Sequence, residues 1–252
     1  MRLEWGWRGA ETAAARGDLL VVVDVLSFST TAVTALANGF ILYPCRSDAE
    51  AHAVAELTGA ALAVKRSAGD EMTEGFSLSP CSFLREGNGV SVALPSPNGA
   101  TCCRLGASAP HLLIGSLLNA RAVADAASLW AEQTKGAITV LACGERWATP
   151  HEDGTLRFAL EDYLGAGAIF SALSPALSRS PEAQAAEEVF LTSVPRLEET
   201  LLRCGSGQEL TDRGYRSDVL HAAQWNRYTI VPHLRENLRL EPLNAPLTSS
   251  AV

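Results

Sequence analysis

Asp24 sits where a charge is expensive. It ends the run Leu19–Val25 (LLVVVDV), whose valines read as a strand buried on both faces. An ionised carboxylate there is costly unless it meets a cation or hydrogen-bond donors. It can bind Mg²⁺, attack phosphorus, or cap the helix that follows. Glu161 and Asp162 are a second acidic focus, interrupting an otherwise apolar helix in ALEDYLGAGAI. Gly165 and Gly167 in that helix permit close approach to the sheet. Such a pair completes a hard-cation site or forms a solvated helix face. Glu145, Glu152 and Asp153 lie upstream in a loop and are placed to join it. Asp218, after the Gly-Tyr-Arg-Ser turn, is a further candidate, read on local sequence as a helix cap.

Small polar residues recur after the predicted strands. Ser27, Ser29, Thr30 and Thr31 follow the first, and Ser96, Asn98 and Gly99 follow a strand at 90–94. Ser116 and Asn119 follow one at 111–115, and Cys143, Gly144 and Glu145 follow one at 137–142. In open α/β sheets, ligands gather beyond the carboxyl ends of the strands. Free N–H groups at helix starts, joined by hydroxyls and amides, cradle anions. Each turn alone is an ordinary cap; four on one edge say more.

The elements that must position these residues alternate. Strands at 19–25, 41–43, 61–64, 90–94, 111–115 and 137–142 are separated by helices. The helices are expected from a hydroxyl cap at Ser27–Thr30 to Ala37, from an Asp48 cap to Leu57, and over 101–105 and 119–134. A long amphipathic helix is predicted over Leu156–Leu173, with two more over 181–192 and 195–204. Residues 67–88, rich in Ser, Gly and Glu, read as a long loop or lid. The pattern predicts a three-layer α/β/α fold on a mostly parallel or mixed sheet. One domain over 1–240, with room for two subdomains, precedes a Pro- and Ser-rich tail at 241–252 that is expected to fray.

Composition narrows the class. The 252 residues are 47% hydrophobic and 19% charged, enough for a sizeable core. With 28 acidic and 20 basic residues, a net charge of −8 and no basic run, nucleic acid is not expected as a partner. No leader or membrane-length apolar window is visible, and none of the six Cys forms a CxxC pair. A cytoplasmic protein with reduced thiols is expected. The sequence contains no GxGxxG, no GxxxxGK[ST], no GxSxG and no HExxH. Oligomeric state is not readable, although exposed helix faces leave room for a homo-oligomer.

Several ordered blocks resemble one family. VVVDVLSFSTTAVTALANG is similar to the opening of the 2-phosphosulfolactate phosphatase (ComB-like) family. GFSLSP, PNGAT, IGSLLNARAVA, CGE, LEDYLGAGAI and RSDVLHAAQWNRY follow in the family's order, from about residue 19 to 232. The resemblance implies an α/β/α phosphoric monoester hydrolase. It would use Mg²⁺ to convert 2-phosphosulfolactate to sulfolactate and phosphate, a step in coenzyme M biosynthesis. It places Asp24, Asn98, Gly99, Ser116, Asn119, Glu161, Asp162 and Asp218 at motif positions. We expect catalytic roles at Asp24, Asn98, Ser116 and Asn119, and substrate contacts at Ser29, Thr30, Thr31 and Gly99. Asp24, Glu161 and Asp162 are the expected metal ligands. The alternative is a catalytically altered module that binds a phosphorylated or sulfonated metabolite. Where the family pattern has Arg directly after Asp-Val-Leu, this sequence has Ser27; Lys65 or Arg66 is a candidate for the missing charge.

Overall fold

A computed structural model describes residues 1–64, 75–151 and 154–248. The first stretch contains β1 (Arg2–Trp5), α1 (Gly6–Ala15), β2 (Leu19–Val23), α2 (Phe28–Ala37), β3 (Ile41–Cys45), α3 (Asp48–Thr58) and β4 (Ala61–Val64). Next come β5 (Phe76–Ser77), β6 (Ser91–Pro95), α4 (Gly99–Leu105), β7 (Leu112–Gly115), α5 (Ala120–Thr134), β8 (Ile138–Ala142) and β9 (Glu145–His151). The last stretch holds β10 (Gly154–Arg157), α6 (Leu160–Ala172), α7 (Pro181–Ser193), α8 (Leu197–Arg203), α9 (Gly205–Asp212), α10 (Arg216–Ala222), β11 (Pro232–Leu234) and β12 (Leu240–Pro242).

The sheet is mixed, in the order β1-β8-β2-β7-β11-β12-β3-β6-β4-β5. The first four strands run parallel, as do the last four. The C-terminal hairpin β11–β12 is antiparallel to both neighbours and joins the two halves. β2 lies between β8 and β7, so both its faces are covered and its apolar run is unbroken. Its pleat divides the core. Leu19, Val21 and Val23 pack with Val123, Ala127 and Ile169 of α5 and α6. Leu20 and Val22 pack with Ala13, Phe28 and Ala32 of α1 and α2. The result is the three-layer α/β/α architecture.

α2 is buried from Phe28 to Leu36. An apolar surface all round is what a helix enclosed by neighbours requires. Its four hydroxyl residues are all buried; the last of them, Thr34, donates to the Thr30 carbonyl and meets His221 Nε2 of α10 at 2.8 Å. α6 packs tightly on both sides. A Cβ on Gly165 would lie 2.6 Å from Val25 Cγ2, and one on Gly167 would strike the Ala186 carbonyl of α7. Gly167→Ala gains about 1 kcal/mol of helix propensity but forces two backbones apart, at about 1–3 kcal/mol. Because a backbone carbonyl cannot swing aside, the clash should dominate. We expect a melting temperature lower by roughly 2–8 °C in a thermal scan.

The sequence misread some elements. The helix expected over Leu156–Leu173 is two pieces: β10 pairs with β9, and α6 starts only at Leu160. Leu156 and Phe158 extend the apolar period but stand exposed. Ser47, not Asp48, caps α3, accepting from the Glu50 N–H. β1, α1, β11 and β12 were not foreseen. β12 pairs at the head of the segment expected to fray, and Leu247 is buried. Residues 67–74 of the expected lid, together with Lys65, Arg66, Glu152 and Asp153, lie outside the described residues. All six Cys are free thiols. No helix among the described residues is long and apolar enough to cross a membrane.

Candidate active site

The carboxyl ends of β2, β6 and β8 converge. Asp24 follows β2 and is 7% exposed. Its Oδ1 accepts the Phe28 N–H at 3.2 Å and its Oδ2 accepts the Gly99 N–H at 2.8 Å. The helix-capping alternative is therefore present in the structure, and the same carboxylate also reaches the first residue of α4. Gly99 makes that reach feasible. A Cβ there would run into the Phe28 ring and lie 2.8 Å from Asp24 Oδ2.

Asp162, on α6, ties the other strand ends together. Its Oδ1 accepts the Val25 N–H at 2.7 Å and its Oδ2 accepts the Gly144 N–H at 2.9 Å. Glu161 lies near Asp24, Asp162 and Cys204; the Cys204 thiol donates to the Leu201 carbonyl, and burial first, then the charge of Glu161, pushes that thiol up to about 12. Glu161 and Asp162 are each 3% exposed, which excludes a solvated helix face.

Burial pushes the Asp24 carboxyl up to about 7, and repulsion from Glu145 and, more weakly, Glu161 adds to it. The Phe28 and Gly99 N–H bonds act in the opposite direction. Burial, then Asp24 and Glu161, pushes Asp162 well above the usual carboxylate range. None of the described Lys, Arg or His residues forms an ion pair with Asp24, Glu161 or Asp162. This negative focus, built of hard oxygen donors and unpaired among the described residues, suits a cation such as Mg²⁺ that keeps most of its waters. A three-residue cage is not formed: among the described residues no group of three His, Cys, Asp or Glu is placed to hold a metal ion. Asp24 and Asp162 alike have both oxygens on backbone N–H groups, and Asp162 bridges the ends of β2 and β8.

The raised Asp24 pKa fixes a pH dependence. The folded protein without cation holds a proton that the unfolded chain releases near pH 4. Stability from this group is full below about pH 4 and is lost as pH rises through about 7. In EDTA, wild type should therefore lose stability relative to Asp24→Asn between about pH 4 and 7, as read by urea unfolding. A pH-independent difference between the two proteins would contradict this.

The other expected residues fall into two groups. Asn98 is half-buried beside the carboxylates. It donates to Glu145 Oε1 at 2.9 Å and accepts from Arg146 Nε at 3.0 Å. Arg146 also donates to Thr155 Oγ1 and lies 3.3 Å from the Trp7 ring centre. Sequence reasoning passed over Arg146; its place directly after Cys-Gly-Glu at a strand end was the available signal.

The hydroxyls of the first turn are turned inward. Ser29, Thr30 and Thr31 are fully buried and donate to the carbonyls of Val22, Val25 and Leu78. These bonds shape the turn. Ser116 and Asn119 form a reciprocal cap, and Asn119 Nδ2 donates to the Ile114 and Ile230 carbonyls. These bonds occupy the two side chains in holding the β7 turn against the segment leading to β11. Gly99 spends its N–H on Asp24. Asp218 sits inside the first turn of α10 and accepts the Ser79 hydroxyl at 2.5 Å. That bond pins the 77–80 loop, which Thr31 also holds through the Leu78 carbonyl.

A cavity of about 410 Å³ opens beside this turn, lined by Leu78, Pro95, Ser96 and Pro97 among others. Pro97 is two residues from Gly99, so chain connectivity alone keeps the rim within about 7 Å of that turn. A larger cavity, about 630 Å³, lies at the amino ends of β1 and β8, near Arg2, Ile138 and Arg179. It belongs to the opposite sheet edge and holds none of these carboxylates.

A family model for 2-phosphosulpholactate phosphatase matches residues 9–237. A protein of Carboxydothermus hydrogenoformans named "Probable 2-phosphosulfolactate phosphatase" is 33% identical over 224 residues, covering 86% of this chain and 87% of its own. One of the same name from Symbiobacterium thermophilum is 31% identical, covering 87% of this chain and 92% of its own. Another from Gloeobacter violaceus is 30% identical over 221 residues, covering 85% and 87%.

Proposed function

The chain belongs to the 2-phosphosulfolactate phosphatase family, a family of phosphoric monoester hydrolases, and from that premise we propose that it hydrolyses 2-phosphosulfolactate or a closely related small anionic ester, with Mg²⁺, at Asp24. The observation that carries this is a buried carboxylate held by two backbone N–H groups and repelled by Glu145 and Glu161, with no ion-pair partner among the described residues. Phosphate monoesters resist hydrolysis because charge builds on oxygens, so catalysis rests on positioning and charge stabilisation.

Asp24 and Glu161 are the residues that would hold Mg²⁺. When bound, the ion supplies the positive charge that draws a phosphate oxygen into this acidic pocket. Asp162 fixes the N–H groups of Val25 and Gly144, and so the spacing of the β2 and β8 ends. Asn98 keeps Glu145 and Arg146 in register at the mouth. We assign Asp24 to the metal and not to attack on phosphorus, since a second anion beside Glu145 and Glu161 needs a cation before it can meet a phosphate.

A panel of small phosphate esters, assayed with Mg²⁺ and again with EDTA, tests the reading. Cation-dependent phosphate release, greatest for an ester with a neighbouring sulfonate, is the expected result. Binding of such esters without release would favour a catalytically altered module. Recovery of a covalent phosphoaspartate at Asp24 would overturn the ligand assignment.

A further inference from the structure

A substrate with a second acidic group needs a cationic partner for it. Where the family pattern has Arg, this chain has Ser27, 2% exposed. The cavity of about 410 Å³ whose rim carries Pro97, two residues before Gly99, is lined by two arginines from separate elements, Arg46 after β3 and Arg213 after α9. Arg46 Nε lies 3.1 Å from Glu50 Oε2, but Glu50 also takes Arg104 Nη2 at 3.1 Å, so two cations share one carboxylate. Arg213 is exposed and makes no ion pair with a described residue. Asp48 lines the same cavity, leaving two guanidiniums against one carboxylate among the described lining. Leu78, Pro95 and Pro97 supply apolar wall, which strengthens charge interactions by excluding water.

We infer that Arg213, aided by Arg46, receives the second anionic group, a sulfonate or carboxylate, of the ester whose phosphate lies at Asp24. A planar guanidinium fork matches either oxyanion. The inference rests on the phosphatase reading and names its specificity residues.

The test compares wild type, Arg213→Gln, Arg46→Gln and Arg213→Lys on 2-phosphosulfolactate and on phenyl phosphate, which lacks the second acid. In Arg213→Gln the ratio of kcat/KM for the two esters should fall roughly 10- to 100-fold, through KM, with the melting temperature unchanged. Arg46→Gln should act in the same direction and more weakly, and Arg213→Lys should recover part of the loss. An unchanged ratio, or equal losses on both esters, would overturn the inference while leaving the phosphatase reading intact. If wild type hydrolyses neither ester, that reading fails separately, and calorimetry with sulfolactate decides. Binding weakened tenfold or more in Arg213→Gln supports the role of Arg213; equal binding, or none to wild type, overturns it.

Discussion

Asp24→Asn is expected to lower phosphate release by at least about 10³-fold while the protein stays folded. The substitution keeps the shape and one carbonyl oxygen for the two N–H donors of Phe28 and Gly99. It leaves one of them facing an amide NH₂, at about 1–3 kcal/mol. Against that, it removes a charge that burial and Glu145 already oppose. The two effects largely offset, so the fold survives. The chemistry has no such compensation, because a neutral amide holds a hard cation poorly. Phosphate release measured beside a thermal melt separates the outcomes. A folded Asp24→Asn protein with near wild-type turnover would remove Asp24 from the mechanism.

Asp162→Ala should damage the fold as much as the activity. It strips acceptors from two buried backbone donors, Val25 N–H and Gly144 N–H. Each unsatisfied group costs about 1–3 kcal/mol, so a loss of about 2–5 kcal/mol is expected. The carboxyl's own burial penalty, relieved by the change, keeps the figure from being larger. For a chain of this size the melting temperature should drop by roughly 5–15 °C. Asp162→Asn retains one acceptor and should fall in between. Urea unfolding of the three proteins gives the order, and an unshifted Asp162→Ala midpoint would mean that the β2 and β8 ends hold without this bridge.

How much of this was legible follows from which interactions are local. β2, α2 and β4 were readable because an unbroken apolar run or a periodic one carries its own burial with it. Leu156–Leu173 misled for the same reason: the apolar side chains of Leu156 and Phe158 continue the helical period, yet they lie on and just after an exposed hairpin strand. β11 and β12 are three residues each, and what makes them strands is pairing with Leu113 and Leu42, more than a hundred positions away. The site divides likewise. An Asp at the end of a valine run is conspicuous in one dimension, but its Gly99 partner, 75 residues on, is not.

Side-chain direction was the least legible feature. Glu161 and Asp162 are adjacent, but a helix turns about 100° between neighbours, sending one towards Cys204 and the other to two backbone donors. Ser29, Thr30 and Thr31 were visible as hydroxyls. That all three face inward depended on carbonyls left free by the tight β2–α2 connection and by the 77–80 loop. Arg46 and Arg213 gave no local signal, because the cavity between them exists only once β3, β6 and α9 are assembled.

Release of inorganic phosphate from 2-phosphosulfolactate by the wild-type chain, in Mg²⁺ and then in excess EDTA, tests the central claim most directly. The account predicts multiple turnovers with Mg²⁺, near-complete loss in EDTA and recovery when Mg²⁺ is restored. No release from this ester or other small phosphate monoesters in Mg²⁺, or release that EDTA leaves untouched, would contradict a cation-dependent phosphatase centred on Asp24.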